Sequence, residues 1–490
     1  MTFWDLVCAA EREQPDRQIL ADDYGRTLTS AQFRDAAERV AAGLPVKANE
    51  VVSWQLPTTL EAAVLMAALS RLNTVQNPLV PTLRNREVAM ITAQLGTSLF
   101  ITPETWQGFD HGQMARDIGC RVLALGFDGV PREPLRLPTG DPSTLAPAVA
   151  ADARWVYYSS GTTAEPKGVK HSDASLMASS SGMIDIAGFG ADDVAPIAWP
   201  LAHIGGATML SCALRRGVKL ILFDTWQPAL TPARMAAHSP TILGSAQPFF
   251  RAYANAQRVH GKQPMFPRLR AFTAGGAPTP PEVVGELIEM FGVPGVPQSY
   301  GLTEFPVATA AAPDDPAGVL LESAGRPSPG VQVRIVDREI RLRGPQCFAG
   351  YVDATLDSEA FDDEGWFRTG DIGELRGGAL YITGRLKDVI IRNAETISAL
   401  DVEDILLRHP DIVDVAVVGL PDARTGERLC AVVQARRGAQ VDVAVLAAHC
   451  QAHGLAKHKC PEQVEVVDML ERNAMGKLAK SALRQRILQA

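Results

Sequence analysis

Residues 157–169 read Tyr157-Tyr158-Ser159-Ser160-Gly161-Thr162-Thr163-Ala164-Glu165-Pro166-Lys167-Gly168-Val169. This stretch places hydroxyl side chains, two glycines and a lysine between apolar flanks. Hydroxyls and backbone N–H groups donate hydrogen bonds to phosphate oxygens, and a lysine adds a point charge. The stretch differs from a Walker loop because no Gly-Lys-Ser/Thr ends it. Taken alone it predicts a loop that holds phosphates, with a solvated turn as the alternative.

The composition limits the function classes. The chain has 490 residues, a length sufficient for about three domains. Of these residues 46% are hydrophobic and 21% charged, which is typical of a globular protein. A formal charge of −8 argues against a general nucleic-acid binder. No apolar run approaches the roughly 18 residues of a membrane span, and the N-terminus lacks a signal-peptide pattern. Seven cysteines without framework spacing favour a reducing compartment. We therefore expect a cytoplasmic enzyme.

Histidines and cysteines cluster near the C-terminus, at His449, Cys450, His453, His458 and Cys460. Their spacing matches none of the common zinc patterns. Because residues 444–452 are apolar at helical spacing, the sequence favours surface histidines on a packed helix over a zinc site.

The order of elements predicts an α/β fold. Val51 to Leu56 has the pattern of a buried strand, and an apolar helix from Leu60 to Leu72 follows it. Helices such as Pro281 to Phe291 separate further short strands, which are expected at residues 121–125, 218–223, 241–243 and 269–273. Strands that alternate with helices imply largely parallel sheets with helices on both faces. From Val331 the pattern changes to short strands and turns, which indicates a small β subdomain.

A second change in pattern follows Arg385. Ser398 is a predicted helix cap, and strands at residues 412–418 and 429–435 precede two more helices. Together they make a compact α+β unit of about a hundred residues, a common domain size. We therefore divide the chain into an N-terminal domain, residues 1–385, and a small C-terminal domain, residues 386–490, joined near Lys387.

Further motifs follow the phosphate loop in a defined order. They are WPLAHIGG at 199–206, GGA at 275–277, QSYGLTE at 298–304, TGD at 369–371, GRLKD at 384–388 and NAMGK at 473–477. With the loop, they closely resemble the adenylate-forming superfamily, which includes acyl-CoA synthetases, firefly luciferase and the adenylation domains of peptide synthetases. The resemblance covers nearly the whole chain. It implies an AMP-forming acyl-CoA ligase that uses ATP, Mg²⁺ and coenzyme A, and a C-terminal domain that moves about a hinge at Lys387.

The resemblance also implies a nucleotide site. The phosphates of ATP and the departing pyrophosphate would be held by Ser159, Ser160, Gly161, Thr162, Thr163 and Lys167. The adenine slot would be lined by Gly276, Ala277 and Tyr300, with Ser299 and Gly301 as further nucleotide-binding residues. Asp371 would accept hydrogen bonds from both ribose hydroxyls, a task suited to a two-oxygen acceptor. Arg385 would lie near the ribose and phosphate. A turn aspartate and a surface arginine are the alternatives for the last two residues.

Four residues carry the implied catalysis: Thr303, Glu304, Lys477 and, beside the substrate carboxylate, His203. Thr303 and Glu304 would meet the phosphate and Mg²⁺, for which a carboxylate oxygen is a suitable ligand. Lys477 would reach between the substrate carboxylate and the α-phosphate, where a fixed cation stabilises the developing negative charge. The alternatives are a carboxylate at a helix end for Glu304 and a solvated basic residue for Lys477.

The substrate pocket is expected beside His203, and a core histidine is the alternative there. The other predicted pocket residues are Ile204, Gly205, Gly206, Gly275, Leu302 and Phe305. Residues 204–206 contain no acidic side chain that could pair with the ammonium group of an amino-acid substrate. An ammonium group buried without such a partner would be costly. Residues 244–247 and 305–307 offer no cation for a second carboxylate. The sequence therefore favours a fatty, alicyclic or aromatic monocarboxylic acid.

Three departures from the family pattern concern loops. Ala164 replaces a usual glycine in the phosphate loop, and Glu471 replaces a frequent proline. Ala394 replaces a glycine that borders the tunnel for the pantetheine thiol, so the sequence supports adenylation better than transfer to coenzyme A. A carrier-protein thiol, an amine or another nucleophile is the alternative acceptor, and an inactive nucleotide-binding protein is the alternative class. The expected partners are the carboxylic acid, ATP and coenzyme A, with a carrier protein and a second copy of the chain as further candidates.

Overall fold

The computed structural model of the chain describes residues 2–127, 135–147, 154–159, 166–275, 279, 281–393, 395–470, 472, 478 and 480–489. Among those residues, no helix combines the length and apolar character needed to cross a membrane.

Helices begin where the sequence offers a cap. The Thr29 hydroxyl accepts a hydrogen bond from the Gln32 N–H, and the Gln32 side chain accepts one from the Thr29 N–H. This reciprocal pair satisfies two N–H groups at the helix start. The helices of the described residues are α1 (Phe3–Glu13), α2 (Ser30–Gly43), α3 (Leu60–Arg71), α4 (Asn85–Leu95), α5 (His111–Ile118), α6 (Asp173–Ser181), α7 (Ile204–Arg216), α8 (Thr231–Ala236), α9 (Gln247–His260), α10 (Pro281–Phe291), α11 (Ala317–Glu322), α12 (Asp357–Ala360), α13 (Ala399–Leu406), α14 (Val443–Ala452) and α15 (Lys480–Gln489).

The strands are mostly short, with long hairpins only toward the C-terminus. They are β1 (Gln18–Asp22), β2 (Thr27–Thr29), β3 (Val51–Trp54), β4 (Val75–Pro78), β5 (Leu99–Pro103), β6 (Thr105–Trp106), β7 (Phe109–Asp110), β8 (Val122–Leu125), β9 (Trp155–Ser159), β10 (Lys167–His171), β11 (Val194–Ile197), β12 (Lys219–Leu222), β13 (Ile242–Ser245), β14 (Ala271–Ala274), β15 (Ser299–Tyr300), β16 (Thr309–Ala310), β17 (Arg326–Pro327), β18 (Gln332–Val336), β19 (Glu339–Arg343), β20 (Phe367–Arg376), β21 (Ala379–Arg385), β22 (Val389–Arg392), β23 (Glu395–Ser398), β24 (Ile412–Asp422), β25 (Gly426–Ala435) and β26 (Gln463–Val466).

Two sheets form the centre of the N-terminal body. One has the order β10-β9-β4-β3-β5-β8 and is parallel from β9 to β8, whereas β10 runs antiparallel to β9. The other has the order β11-β12-β1-β2. Helix α3 is buried from Leu60 to Ser70 and contacts β4 of the first sheet and β1 of the second. A helix that is apolar on all sides is suited to this position between sheets.

The β subdomain is antiparallel and carries part of the candidate site. Strands β18, β19, β20 and β21 pair in that order. In the β20–β21 ladder Asp371 lies opposite Arg385. The change of pattern predicted from Val331 is thus confirmed, and it brings two residues of separate motifs into register.

The C-terminal part has its own sheet and its own hydrophobic clusters. A 3₁₀ turn at Leu386–Asp388 follows β21, and β23, β22, β25 and β24 then form a sheet with β26 beside β25. Two buried clusters, one with Ile390 and Leu446 and one with Val432 and Leu470, contain only residues after 389. The structure confirms the α/β class with a large body, a β subdomain and a smaller C-terminal α+β domain. The boundary at residue 385 stays a prediction.

A buried ion triad ties the first hairpin to α3. Arg26, between β1 and β2, contacts Asp22 at 2.7 Å and Glu61 at 2.8 Å. All three side chains are almost completely buried. Removing one member of a buried ionic cluster leaves charge without a partner.

We expect Arg26→Ala to lower the free energy of unfolding by about 3 to 5 kcal/mol, because Asp22 and Glu61 would stay buried without their cation. Urea unfolding followed by tryptophan fluorescence measures this change. The matched control is Asp35→Ala, which breaks the exposed Asp35–Arg39 pair and should cost less than about 0.5 kcal/mol. Equal losses in the two variants would contradict the role of the triad.

Candidate active site

Strands β9 and β10 hold the two ends of the phosphate-loop motif side by side. In their antiparallel register Ser159 is opposite Lys167, and Tyr158 is opposite Gly168. The predicted loop residues Ser160, Gly161, Thr162 and Thr163, and also Ala164, lie outside the described residues. The ladder therefore places Ser159 and Lys167 side by side, and their role in holding phosphates stays a prediction.

Asp371 is the centre of a buried polar group. Its side chain is 4% exposed. The Tyr300 hydroxyl donates to Asp371 Oδ2 over 2.7 Å, and Arg385 Nε donates to Oδ1 over 2.6 Å. Burial and the neighbouring carboxylate raise the pKa of Tyr300 well above its ordinary value, so its hydroxyl stays a donor. A carboxylate oxygen has more than one lone-pair site, so each oxygen can accept a further hydrogen bond.

Arg385 is held close to this carboxylate by the strand register. Burial works against its charge, but the Asp371 carboxylate outweighs that effect and raises the pKa of Arg385. The structure thus brings together three predicted nucleotide-site residues, Tyr300, Asp371 and Arg385. Gly276 and Ala277, predicted for the adenine slot, lie outside the described residues. Ser299 donates to the Ala274 carbonyl oxygen over 3.0 Å, beside Gly275, where an added Cβ would lie 2.8 Å from Ser299 Oγ.

Glu304 and Thr303 are positioned by Tyr351 and His171, which belong to none of the sequence motifs. The Tyr351 hydroxyl donates to Glu304 Oε1 over 2.9 Å. His171 Nε2 lies 2.8 Å from the carbonyl oxygen of Thr303. Since a carbonyl only accepts, His171 carries its proton on Nε2, and Nδ1 accepts from the Ser175 hydroxyl at 2.9 Å. Burial lowers the pKa of His171 to about 4, so the ring is neutral near pH 7.

Strand β10 connects these contacts to the phosphate loop. It begins at Lys167 and ends at His171. Val169, at its centre, pairs with Tyr351 in an antiparallel bridge, and Lys167 Nζ lies 5.3 Å from the centre of the Tyr351 ring. Strand β10 therefore carries both Lys167 and His171, whose ring contacts the Thr303 carbonyl oxygen. Its central residue, Val169, pairs with Tyr351, whose hydroxyl donates to Glu304.

The predicted substrate residues His203, Ile204, Gly205 and Gly206 form the start of α7. His203 is the N-cap, and its Nδ1 accepts from the Gly205 N–H over 3.2 Å. A Cβ at Gly206 would overlap the carbonyl oxygen of Leu201, so a glycine is needed for this close approach. Phe305 is fully buried in the hydrophobic cluster of the β subdomain, together with Tyr300 and Phe348. Leu302 is half-buried and lines the cleft described next.

A cleft of about 780 Å³ lies between the body and the C-terminal part. On the body side it is lined by Tyr300, Gly301, Leu302, Asp371 and Arg385, and on the C-terminal side by Asp414, Arg472, Leu478 and Lys480. Lys387 also lines it, within the 3₁₀ turn that joins the two parts. Lys477 lies outside the described residues, but its neighbours Arg472 and Leu478 face the cavity that contains Asp371.

The histidine and cysteine cluster near the C-terminus has other partners. His458 Nε2 lies 2.6 Å from Glu395, and His449 Nε2 lies 3.0 Å from the Ile405 carbonyl oxygen. Cys450 and Cys460 are buried thiols. Among the described residues, no group of three or more candidate ligands is arranged to hold a metal ion.

His171 and Tyr351 contact predicted site residues but belong to none of the sequence motifs. His171 follows the phosphate motif and Tyr351 follows a Gly, but nothing in either neighbourhood indicates contact with residues 303 and 304. The contact between His171 and Thr303 joins positions 132 residues apart. Only the folded chain shows it.

Two family models match most of the chain. The model for the AMP-binding enzyme matches residues 8–352, and the model for the AMP-binding enzyme C-terminal domain matches residues 401–477. The chain belongs to the AMP-binding enzyme family. This result confirms the resemblance to the adenylate-forming superfamily that the motifs indicate, and it places the chain among ligases that use ATP.

Individual relatives differ in the acceptor that their names indicate. The chain is 28% identical to the medium-chain fatty-acid–CoA ligase of Escherichia coli, covering 99% of this chain and 90% of the relative. It is 29% identical to the salicyl-AMP ligase / salicyl-S-ArCP synthetase of Mycobacterium tuberculosis, covering 98% and 90%. The family is thus established, and an acid–thiol ligase is supported as the enzyme class.

Solved structures show the same architecture. The ATP-bound MatB of Rhodopseudomonas palustris has a TM-score of 0.86 at 26% identity, with 99% of both chains covered. The apo structure of the same enzyme has a TM-score of 0.75 at the same identity and coverage. The arrangement of this chain is therefore closer to that of the ATP-bound structure.

We expect Asp371→Ala to weaken the binding of AMP about ten- to a hundredfold, the usual value of hydrogen bonds to a charged group. Isothermal titration calorimetry with AMP measures the effect. Glu374→Ala is the matched control, since Glu374 lies on the same strand in an exposed pair with Arg376. An Asp371→Ala protein that binds AMP as the wild type does would refute the assigned contact.

We expect the stability of the protein to fall as the pH drops from 6.5 to about 4, partly because of His171. Its pKa is lowered from 6.5 to about 4 in the fold, so in this window the unfolded chain binds a proton that the folded chain does not. His171→Gln keeps an N–H donor for the Thr303 carbonyl and removes the titration. Its urea midpoint should decline less with falling pH, and a profile parallel to that of the wild type would contradict this explanation.

Proposed function

We propose that the protein activates a monocarboxylic acid with ATP to an acyl-adenylate and then transfers the acyl group to coenzyme A, releasing AMP and pyrophosphate. The observation that carries the proposal is that Asp371 and the residues that flank Lys477 line the same cleft. The buried Asp371 carboxylate, with Tyr300 and Arg385, lies across it from the residues that flank Lys477. Adenylation needs a nucleotide site and a cation close together, and this arrangement supports both.

The described residues fit ATP and a hard cation. Asp371 would accept hydrogen bonds from the ribose hydroxyls, and Ser159 and Lys167 would donate to phosphate oxygens from the hairpin end. Glu304 is only 9% exposed, and Tyr351 orients its carboxylate through one oxygen, which suits a ligand for Mg²⁺. A bound Mg²⁺ would neutralise charge on the phosphates. Thr303 would lie beside it, fixed through its carbonyl by His171.

In the first half-reaction a carboxylate oxygen of the substrate attacks the α-phosphorus of ATP. The bond from that phosphorus to the bridging oxygen breaks, and pyrophosphate leaves with the electron pair. Lys477 would stabilise the charge that accumulates on the α-phosphate. A preorganised electrostatic group of this kind contributes about a hundredfold or more to the rate.

In the second half-reaction the thiol sulfur of coenzyme A attacks the acyl carbonyl carbon. The bond from that carbon to the AMP oxygen breaks, AMP leaves, and the thiol proton passes to water. The C-terminal domain, residues 386–490, would rotate between the two steps about Lys387. A few dihedral angles in the Leu386–Asp388 turn can absorb such a motion.

The substrate is proposed to be an apolar monoacid. His203, the N-cap of α7, is proposed to lie beside the substrate carboxylate, and residues 244–247 and 305–307 carry no charge. The name of the Escherichia coli relative, a medium-chain fatty-acid–CoA ligase, is consistent with this class. The proposed class includes fatty, alicyclic and aromatic acids.

A carrier-protein thiol is the second candidate acceptor. The salicyl-S-ArCP synthetase among the relatives supports it, and so does Ala394, which replaces the glycine expected beside the thiol tunnel. Ala394 lies outside the described residues. The two acceptors share the adenylation step and differ only in the second half-reaction.

A panel of monocarboxylic acids with ATP and Mg²⁺, followed by ATP–pyrophosphate exchange, tests the first step. At least one apolar acid should drive exchange, and Lys477→Ala should lower its rate about a hundredfold or more. If the wild-type protein catalyses exchange with none of the acids, the result would favour the alternative class, an inactive nucleotide-binding protein. Full exchange activity in Lys477→Ala would refute the role of that lysine.

The acceptor is tested on the acid that drives exchange. Adding coenzyme A should yield the acyl thioester, which is detected by mass spectrometry. Acyl-adenylate that accumulates without thioester in the presence of coenzyme A would favour the carrier-protein alternative.

A further inference from the structure

The TGD motif, residues 369–371, lies on a β-bulge of β20. Glu339 of β19 pairs with Ile372 of β20. The next pair along the ladder joins Arg341 to Arg368. One residue of β19 therefore lies opposite the three residues of the motif. A bulge interrupts the ladder locally and turns a side chain in a new direction, often beside an active site, so this bulge sets the direction of the aspartate in the motif.

Gly370, at the middle of the bulge, is held by the side chain of Glu339. Its φ of +70° lies in the left-handed region that favours glycine. The Gly370 N–H donates to Glu339 Oε1 over 3.2 Å, and Arg341 Nε donates to Oε2 over 3.2 Å. Glu339 is only 9% exposed. A backbone N–H away from water needs an acceptor, and at the bulge a side-chain carboxylate takes the place of a backbone carbonyl.

The Thr369 hydroxyl supports the bulge from within the motif. It donates to the Ile340 carbonyl oxygen over 2.7 Å and accepts from the Asp371 N–H over 3.0 Å. Thr369 and Glu339 thus fix two successive N–H groups, those of Asp371 and Gly370. The peptide groups that precede the Asp371 side chain are therefore held by two separate contacts, and Glu339 supplies the one from outside the motif.

The bulge brings the Asp371 carboxylate to its two partners. Tyr300 and Arg385 donate to its two oxygens over 2.7 and 2.6 Å, and all three residues line the cleft. Hydrogen bonds weaken steeply when their distance and angle leave a narrow range. Since Gly370 is next to Asp371 in the chain, a bulge that relaxes would displace this carboxylate as well.

We infer that Glu339 is a positioning residue for nucleotide binding, acting through the Gly370 N–H on Asp371. The inference rests on the proposed function, which gives Asp371 its contact with the ribose hydroxyls. Displacing Asp371 should cost no more binding than removing its side chain. We therefore expect loss of the contact between Glu339 and Gly370 to weaken AMP binding about fivefold, less than the ten- to a hundredfold expected for Asp371→Ala.

The decisive experiment compares two variants of Glu339 by isothermal titration calorimetry with AMP. Glu339→Asp keeps the negative charge beside Arg341 but is one methylene shorter, so it should lose the Gly370 N–H and weaken binding about fivefold. Glu339→Gln loses the charge but keeps the length and an acceptor oxygen, so its Kd should stay within about twofold of the wild type. Arg341 has Asp362 as a further partner at 2.7 Å. A residue that served only to pair with Arg341 would give the opposite order of the two variants.

A double variant tests whether Glu339 acts through Asp371. Glu339→Asp in an Asp371→Ala background should bind AMP as Asp371→Ala alone does, because the contact with the ribose is already lost. The matched control is Glu364→Asp, the same shortening at an exposed carboxylate that pairs with Arg334 of β18 over 2.7 Å. It should leave the Kd for AMP within about twofold of the wild type. Thermal unfolding midpoints establish that each variant is folded.

The kinetic readout is ATP–pyrophosphate exchange with the acid that the wild type uses. Glu339→Asp should raise the KM for ATP about fivefold and change kcat less than about twofold, because the ribose contact is the same before and during the reaction. A loss of global structure would instead lower the amount of active enzyme and therefore kcat.

Three results would overturn the inference: wild-type AMP affinity in Glu339→Asp, a greater loss in Glu339→Gln than in Glu339→Asp, or a further loss on top of Asp371→Ala. A wild-type protein that binds AMP but catalyses no exchange would refute the proposed function, and the comparison of AMP affinities would still decide the role of Glu339. A wild-type protein that does not bind AMP would refute both.

Discussion

The Asp371 carboxylate is removed from water and held between a tyrosine hydroxyl and an arginine. A buried carboxylate is costly unless it is paired and hydrogen-bonded, so Tyr300 and Arg385 have to stay in place. Arg385 is the last residue of β21, and the Leu386–Asp388 turn follows it directly. The same contact therefore orders the candidate nucleotide site and lies directly before the turn that is the predicted hinge.

Strand β10 gives similar support to the residues next to the predicted phosphate loop. Strand β10 joins Lys167 to His171, and the β bridge between Val169 and Tyr351 places a hydroxyl on Glu304. The side chains around Thr303 and Glu304 are thus supported by regular structure, and the sequence of the predicted phosphate loop is rich in hydroxyl groups. A rigid support beneath a loop that binds ligand is a common arrangement, because it orients the site at little entropic cost on binding.

Much of the secondary structure could be predicted from local pattern. The helix Pro281–Phe291 has the predicted bounds, and the predicted cap Ser398 is the N-cap of α13. The two strands of the β24–β25 hairpin are longer than predicted. Strand β24 extends to Asp422, and β25 already begins at Gly426. Residues 419–428 are partly polar and include Pro421, so hydrophobic alternation does not reveal them. Ladder hydrogen bonds with a neighbouring strand, which are not local, extend the strands there.

The sequence by itself determined the family, because the order of its motifs resembles that of known members, and it determined the α/β class, because strand and helix patterns alternate along the chain. Only the tertiary structure decided that Asp371 lies between Tyr300 and Arg385, that His171 holds Thr303 and that Glu339 holds Gly370. Each of these contacts joins residues far apart in the chain or on different elements. Their distances follow from how sheets and helices pack, and no local pattern encodes that packing.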